Sequence, residues 1–146
     1  MDAELGTDGP KVILVAVDGS VTSLRAGSYA GGLARRQGSR LVVAHVVQPL
    51  GTAALLPQAA GAAIEAAREI VEDLRAQIGE RAADLGIEVE FRVTEGSPYH
   101  ALMLMADEVR AELVVLGAST TPGHRVLGSL GARMIRAGRW PVVVVP

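Results

Sequence analysis

Short apolar runs alternate with helix-like segments along the whole sequence, and this alternation constrains the fold more than any other feature. The runs KVILVAV at residues 11–17 and RLVVAHVV at residues 40–47 are continuous and rich in β-branched residues. Runs of this kind are typical of strands that are buried on both faces. The segment between them repeats its apolar residues at helical spacing. Two strands joined by a helix form a β-α-β unit, so the two strands should be parallel with a right-handed crossover.

The same alternation continues to the end of the chain and predicts five strands and four helices. The run IEVEFRVT at residues 87–94 alternates apolar and charged residues, which indicates an edge strand with one face in water. The runs LVVL at residues 113–116 and PVVVV at residues 141–145 are apolar throughout. If the first and fourth strands lie at the centre of the sheet and the third lies at an edge, the strand order is 3-2-1-4-5. We therefore predict one α/β domain over residues 11–146, a doubly wound five-stranded parallel sheet with helices on both faces.

Two segments outside the strands carry separate predictions. The polar, turn-rich MDAELGTDGP at residues 1–10 should form a flexible leader. The segment QPLGTAALLPQAAG at residues 48–61 contains two prolines and is either a flap over the strand ends or a poorly ordered loop. In the flap, Leu55 and Leu56 would pack on a ligand or on a partner chain. A long amphipathic helix should follow, from about residue 62 to residue 85.

The bulk composition narrows the function. A net charge of −2 and a pI near 5.9 provide no basic field that would attract nucleic acid. Because the chain has no cysteine, disulfides, Cys-based metal sites and thiol chemistry are excluded. The sequence shows neither a signal peptide nor an apolar run of about 18 residues. These features predict a cytoplasmic protein without a nucleic acid or membrane partner.

The predicted strand order brings two polar segments together. Ligands of doubly wound sheets bind at the carboxyl ends of the strands where the order reverses, here between the first and fourth strands. Asp18 follows the first strand and Gly117 ends the fourth. Gly128 and Ser129 then stand where a helix should begin, and the unpaired N–H groups of a helix start form an anion site. The alternative is that Asp18 only turns the chain or caps a helix and that these glycines only mark turns.

Other polar side chains are expected to serve the fold. Thr22 or Ser23 can cap the first helix, and His45 should pack in or near the core with its ring satisfied locally. The sequence contains no Ser-His-Asp arrangement, helical His pair, Walker-type lysine or GxGxxG turn. We therefore predict a protein that is not an enzyme, or at most a slow nucleotide hydrolase, without a metal site of its own.

Four stretches of the sequence resemble the universal stress protein family. They are VDGSVTSLRA after the first strand, AHVVQP in the second, EGSPYHALMLMADEVRAELVVLGAS through the fourth, and LGSLGARMIRAGRWPVVVVP at the end. The resemblance covers residues 11–146 and implies a five-stranded α/β fold with frequent homodimers, often formed through the last strand. It also implies, for many members, an adenine nucleotide such as ATP, ADP, AMP or cyclic AMP, with Mg²⁺ accompanying it. Other members of the family bind no nucleotide.

The resemblance also assigns residues to the nucleotide site. Asp18 would lie near the ribose and adenine, Val46 at the adenine, and the segment from Gly128 onward at the phosphates. The implied site consists of Ala16, Asp18, Val46, Gly117, Ser119, Gly128, Ser129, Leu130 and Gly131. One part departs from the family pattern, because Thr120 replaces a glycine and only seven residues separate it from Gly128, two fewer than in the family. A shorter loop with a Cβ at this position argues against tight binding of a triphosphate.

We therefore expect a universal stress protein that binds an adenine nucleotide at the switch point and acts in signalling or the stress response. The alternative is a dimeric interaction or regulatory module of the same fold that binds no nucleotide and acts through an unknown protein partner. The last apolar run begins at Pro141 and ends at Val145, at the far edge of the sheet. Such an edge aggregates unless loops of its own chain cover it or a second copy pairs with it. We expect a homodimer through this strand.

Overall fold

The computed structural model describes residues 8–119 and 129–146. The strands are β1 (Val12–Ala16), β2 (Arg40–Val47), β3 (Val89–Glu95), β4 (Leu113–Gly117) and β5 (Val142–Val145). The helices are α1 (Val21–Gln37), α2 (Pro57–Leu85), α3 (Pro98–Val109) and α4 (Ser129–Ala137), with a short 3-10 helix at Gly51–Leu55 before α2. Strands and helices alternate in the order predicted from the sequence.

The five strands form one parallel sheet in the order β3-β2-β1-β4-β5. This confirms the predicted doubly wound fold and its strand order. The apolar runs of β1, β2 and β4 occupy the centre, where β1 pairs with both β2 and β4, and the apolar β5 lies at one edge. Strand β3, with its alternating charged residues, lies at an edge and contains no fully buried residue. The order of the strands reverses between β1 and β4, as expected.

The two faces of the sheet carry separate aliphatic cores. One face, covered by α1 and α2, buries Ile13 and Val15 of β1 together with Leu74 of α2. The other face, covered by α3 and α4, buries Leu14 of β1 together with Met134 of α4. Because successive side chains of a strand point to opposite faces, one apolar run supplies both cores. Beside the switch point, α1 therefore lies on one face of the sheet and α4 lies on the other.

The start of α2 corrects the sequence prediction. This helix begins at Pro57 rather than near residue 62, and the segment 48–61 contains a 3-10 helix and the first turns of α2 rather than a simple loop. Proline signals a loop in the sequence, yet it fits the first turn of a helix, where its missing N–H needs no partner. Leu55 and Leu56 are 79% and 64% exposed, so they do not pack on the described part of the chain. None of the helices in the described ranges is long and apolar enough to cross a membrane.

The predicted leader at residues 1–10 is described only in its last part, since residues 1–7 lie outside the described ranges. Residues 8–10 lie beside the end of α1, where Gly9 contacts the side-chain amide of Gln37. The hydroxyl of Ser39 donates a hydrogen bond to the carbonyl of Pro10. Pro10 is thereby held against the domain directly before β1.

His45 occupies the position predicted for it, within the core and with a local partner. Its side chain lies in β2, is 6% exposed, and places Nδ1 2.8 Å from the carbonyl oxygen of Val17. A carbonyl oxygen can only accept, so Nδ1 carries the proton of this hydrogen bond. The ring therefore ties β2 to the segment that follows β1.

Candidate functional site

A cavity of about 310 Å³ opens at the carboxyl ends of β1 and β4. Helix α1 follows β1 on one face of the sheet, whereas α4 follows β4 on the other. The two connections diverge and leave a crevice, as at other switch points of doubly wound sheets. Asp18, Ser20 and Thr22 line it on the β1 side, and Ser119 and Ser129 line it on the β4 side. Its volume lies at the lower end of the range of small-molecule sites, roughly 300–1,000 Å³.

The structure brings eight of the nine sequence-predicted site residues to this cavity. They are Ala16, Asp18, Val46, Gly117, Ser119, Ser129, Leu130 and Gly131. The ninth, Gly128, lies outside the described residues. Thr120 and the shortened loop from Thr120 to Gly128 lie outside them as well. The grouping confirms that the ends of β1 and β4 lie side by side. The role of these residues in nucleotide binding stays a prediction.

The floor of the cavity is apolar and built from small side chains. Ala16 of β1 and Ala44 of β2 are register partners, and both line the cavity beside Val46 and Leu116. Two neighbouring alanines stand where larger aliphatic side chains would fill the space. The floor therefore leaves room for a flat, largely apolar ring.

The peptide groups of Val46 border this floor. The carbonyl of Ala44 accepts the N–H of Val17 at 2.8 Å, so the peptide groups of Ala44 face β1. Peptide groups alternate in direction along a strand, which turns those of Val46 to the same side. Strand β1 ends at Ala16, so Val46 lies beyond its partner strand. One donor and one acceptor of the main chain are thus directed to the edge of the cavity.

Asp18 both shapes a turn and contributes charge to the cavity. Its Oδ1 accepts the N–H of Ser20 at 2.8 Å, which is the turn role considered as the alternative from the sequence. Partial burial raises the pKa of the Asp18 carboxyl, but hydrogen bonds from Ser20 and Ser23 outweigh this effect and lower the pKa below its ordinary 3.8. Asp18 is therefore a carboxylate at neutral pH. Turn formation and ligand contact do not exclude each other, because the residue also lines the cavity.

The cap of α1 is Ser20 rather than Thr22 or Ser23, which corrects the sequence prediction. Ser20 Oγ accepts the N–H of Ser23 at 3.3 Å, and Ser23 Oγ accepts the N–H of Asp18 at 3.1 Å. Thr22 has a different task, because its hydroxyl donates to the carbonyl of Ala118 at 2.7 Å. This hydrogen bond joins the start of α1 to the segment after β4. The two sides of the cavity are therefore connected directly.

The first turn of α4 forms the opposite end of the cavity. Ser129, Leu130 and Gly131 all line it, and Gly131 is buried. The N–H groups of a first helical turn have no partner within the helix and carry the positive end of the helix dipole. Because Gly131 has no side chain, a ligand can approach the main chain closely there. This end of the cavity favours an anionic group.

Few of the described residues around the cavity carry charge. Among its described lining residues, Asp18 is the one ionisable side chain, and there is no lysine or arginine. The described part of the chain also contains no cluster of three His, Asp or Glu side chains placed to hold a metal ion. A bound anion would therefore be stabilised by the helix dipole and by neutral donors.

The sequence prediction missed several lining residues. Gln48 directly follows β2, and Pro98 begins α3 shortly after β3, and both line the cavity. Both residues follow the carboxyl ends of strands, as Asp18 does, and ligands of such sheets bind there. Leu102 and Val144 also line the cavity, but their sequence context is that of ordinary core and strand residues.

Comparison with known proteins identifies the family of this chain. Residues 10–146 match the sequence profile of the universal stress protein family. The chain belongs to the universal stress protein family. A universal stress protein of Mycobacterium tuberculosis is 33% identical over 141 residues, and the match covers 92% of this chain and 95% of the relative.

Solved universal stress proteins share the architecture. UspA from Lactobacillus plantarum aligns with a TM-score of 0.78 at 27% identity, covering 93% of this chain and 97% of that chain. A universal stress protein crystallised in complex with cAMP aligns with a TM-score of 0.67 at 29% identity, covering 94% of this chain and 97% of that chain. Proteins of this family are, in general, not conventional enzymes.

Proposed function

We propose that this universal stress protein binds an adenine nucleotide of low charge, cyclic AMP or AMP in preference to ATP, in the cavity between β1 and β4. Nucleotide binding would serve a stress or signalling response in the cytoplasm. The observation that carries the proposal is one cavity that joins an apolar floor, the Asp18 carboxylate and the first turn of α4. Each has a counterpart in a nucleotide: the base, the ribose hydroxyl groups and the phosphate.

The base would lie on the floor formed by Ala16 and Ala44. There the N–H of Val46 would donate to a ring nitrogen, and its carbonyl would accept from an exocyclic amino group. Adenine offers this acceptor and donor side by side in N1 and its 6-amino group. The ribose would then lie toward Asp18, whose ionised carboxylate accepts hydrogen bonds from hydroxyl groups.

The phosphate would lie at the first turn of α4, and its charge decides which nucleotide is preferred. The single charge of cyclic AMP can be balanced by a helix dipole of about half an elementary charge and by neutral donors. The several charges of ATP need cations, and the described lining residues include no lysine or arginine. The shortened loop after Thr120 argues in the same direction. The 29% identity to a universal stress protein solved with cAMP supports this preference.

Mg²⁺ enters the proposal only together with ATP. The ion prefers an octahedral oxygen shell and is commonly held by one or two carboxylates together with phosphates and water. Asp18 is the one carboxylate among the described lining residues. Phosphate oxygens and water would therefore supply most of the oxygen ligands of the ion. We expect Mg²⁺ to strengthen ATP binding and to leave the binding of cyclic AMP unchanged.

Isothermal titration calorimetry with cyclic AMP, AMP, ATP and adenosine tests the proposal on the full chain. Cyclic AMP and AMP should bind more tightly than ATP in the absence of Mg²⁺. Adenosine should bind more weakly than AMP, because it lacks the group that meets α4. No heat with any of the four ligands at millimolar concentration would refute the proposed function.

A substitution in the floor links any binding to this cavity. Ala16→Leu would fill the space for the base and should weaken cyclic AMP binding at least about tenfold, or about 1.4 kcal/mol. Ala66→Leu is the matched control, because Ala66 is exposed on α2 and does not line the cavity. Equal affinities of the two variants would show that the nucleotide binds elsewhere.

Exposed leucines favour a second candidate function, an interaction module that needs no nucleotide. Leu55 and Leu56 are adjacent, 79% and 64% exposed, and stand at the entry to α2. Neighbouring exposed aliphatic side chains mark protein contact sites. If this function applies, a Leu55→Ser, Leu56→Ser variant should lose the cellular stress phenotype. Ala16→Leu should then leave that phenotype intact, which is the opposite of the result expected for a nucleotide sensor.

We also propose that β5 pairs with the β5 of a second copy. Val142–Val145 is the last strand of the sheet and has a neighbour, β4, on one side. All four valines remain partly exposed. Pairing two such strands across a two-fold axis covers both edges at once.

A further inference from the structure

A second cavity, of about 260 Å³, lies between α1 and α2. It is on the face of the sheet opposite α4, and its walls include Leu24, Val43, Ile78 and Leu85. Among the described residues, Val17 is the only one that lines both this cavity and the one at the switch point. The second cavity is therefore a separate space with an aliphatic lining, and the proposed nucleotide site does not use it.

Two glycines of α1 line this cavity. Gly27 and Gly31 both line it, and at a spacing of four residues they share one face of the helix. Neither adopts a left-handed conformation, so the backbone does not require glycine at these positions. A Cβ on Gly27 would meet Val17 Cγ1 at 3.6 Å, an ordinary contact, whereas a Cβ on Gly31 would lie 3.0 Å from Leu85 Cδ1. Glycine is a poor helix former. Here Gly27 leaves room beside the cavity, whereas the missing side chain of Gly31 lets Leu85 of α2 approach α1 closely.

A cation stands beside this aliphatic space. Ser28, Gln77 and Arg81 are the polar side chains of the lining, and all three are exposed. Arg81 Nη2 lies 3.5 Å from Ser28 Oγ, at the limit of a hydrogen bond. Within the described ranges no carboxylate lies at ion-pair distance from Arg81, whereas Arg40 and Arg92 both pair with Glu90. The guanidinium of Arg81 is thus available to an external anion.

We propose that the cavity between α1 and α2 binds a small aliphatic carboxylate. The chain of the ligand occupies the aliphatic space beside Gly27, and its carboxylate pairs with Arg81. Guanidinium and carboxylate match in geometry and form two parallel hydrogen bonds. An aliphatic chain matches the lining because burial removes its surface from water and needs no polar partner.

The volume of the cavity sets the size of this ligand. A protein cavity of about 150 Å³ accepts benzene, and sites for drug-sized molecules begin near 300 Å³. At about 260 Å³ the cavity lies between these two limits. A saturated acid such as octanoate, which is larger than benzene and smaller than a drug molecule, is therefore the appropriate probe.

Calorimetry and amide chemical shifts with octanoate and octan-1-ol test the proposal on the full chain. The two probes share the aliphatic chain and differ in the charged head. Octanoate should bind with shifts confined to residues around the cavity, and octan-1-ol should bind more weakly, by up to about fivefold. The expected difference corresponds to a modest, solvent-screened contact of Arg81 with a carboxylate. No binding of octanoate at millimolar concentration, or equal binding of both probes, would overturn the proposal.

Two substitutions separate the head group from the chain. Arg81→Gln should weaken octanoate binding by up to about fivefold and leave octan-1-ol binding unchanged, because it removes only the screened charge contact. Arg36→Gln is the matched control, since Arg36 is an exposed arginine of α1 outside the cavity lining. Gly27→Leu should abolish binding of both probes by filling the space. Its thermal unfolding shows whether it folds, and Gly27→Ala, with a smaller volume, should weaken both probes partially. An Arg81→Gln variant that binds octanoate as tightly as Arg36→Gln would refute the role of Arg81.

Discussion

Gly117 approaches α1 so closely that a Cβ atom on it would lie 2.5 Å from the carbonyl carbon of Thr22. The end of β4 therefore packs directly on the backbone of the first turn of α1. The sequence pattern had linked this glycine to the ligand. The structure gives it a further reason, because the helix that follows β1 can approach β4 only if this position has no side chain.

Gly117→Ala should destabilise the protein. The atoms within 2.7 Å of the added Cβ belong to the backbone of Thr22 and Ser23, so the helix itself must shift. Overpacking of this kind costs about 1–3 kcal/mol. Gly79→Ala is the control, because nothing lies within 4 Å of its added Cβ in α2, and it should stabilise by about 0.5–1 kcal/mol. Urea unfolding of both variants measures the difference, and equal midpoints would contradict the tight contact at Gly117.

Thr22→Val should weaken the connection between the two sides of the switch-point cavity. Valine keeps the shape of threonine but removes the hydroxyl that donates to the carbonyl of Ala118 at 2.7 Å. The loss of such a hydrogen bond costs about 1 kcal/mol. Thr22→Ser retains the hydroxyl, so its free energy of unfolding should fall by less than that of Thr22→Val. Free energies of unfolding from urea titrations compare the two, and a Thr22→Ser variant as unstable as Thr22→Val would show that the hydroxyl contributes nothing.

The strand order was predictable because burial leaves a clear signal in the sequence. The strand β1, buried on both faces, reads as a continuous apolar run, and the edge strand β3 alternates. The edge strand β5 is the exception, because it is apolar throughout. The grouping of Asp18 with Gly117 then followed from topology alone. Such rules concern the order and direction of elements, which short-range sequence patterns are sufficient to specify.

Features that depend on distances between elements were not predictable. Pro57 fits both a loop and a first helical turn, and the choice depends on how the segment packs. The sequence does not single out Ser20 as the cap of α1, because Thr22 and Ser23 are also residue types that cap helices. The space between α1 and α2 also leaves no sequence signal beyond Gly27 and Gly31, which look like weak points of a helix.

Asp18→Asn should change how stability depends on pH. Hydrogen bonds from Ser20 and Ser23 outweigh the effect of burial and lower the pKa of Asp18 below 3.8 in the folded protein. A lowered pKa stabilises the fold above the ordinary pKa, and this contribution is lost as the pH falls through the lowered value. Asparagine still accepts the N–H of Ser20 but carries no charge. The variant should therefore be less stable than the wild type at pH 7, by less than about 1 kcal/mol because water screens an exposed carboxylate.

The difference between wild type and Asp18→Asn should shrink as the pH falls below 3.8, where the wild-type carboxylate becomes protonated. Melting temperatures recorded from neutral to strongly acidic pH follow this convergence. A difference that stays constant over the whole range would show that the carboxylate charge does not contribute to stability.

The outer edge of β5 has peptide groups available for a second chain. The carbonyl groups of Pro141 and Val145 accept hydrogen bonds from the N–H groups of Val114 in β4 and of Ala118 directly after it. Peptide groups alternate in direction along a strand, so those of Val142 and Val144 face away from the sheet. An approaching strand would pair with these two residues.

Val144→Pro should therefore separate the proposed homodimer without breaking the sheet. Proline removes an N–H that faces outward, and its ring blocks a second strand, whereas the hydrogen bonds between β4 and β5 use the neighbouring residues. Val144→Ala is the control, because it shortens the same side chain, which lines the switch-point cavity, and keeps the N–H. Sedimentation velocity at micromolar concentration should show a dimer for the wild type and Val144→Ala and a monomer for Val144→Pro. A wild-type monomer, or a Val144→Pro dimer, would contradict pairing through β5. Circular dichroism of Val144→Pro should match the wild type, since the edge of a sheet is the position where a strand tolerates proline.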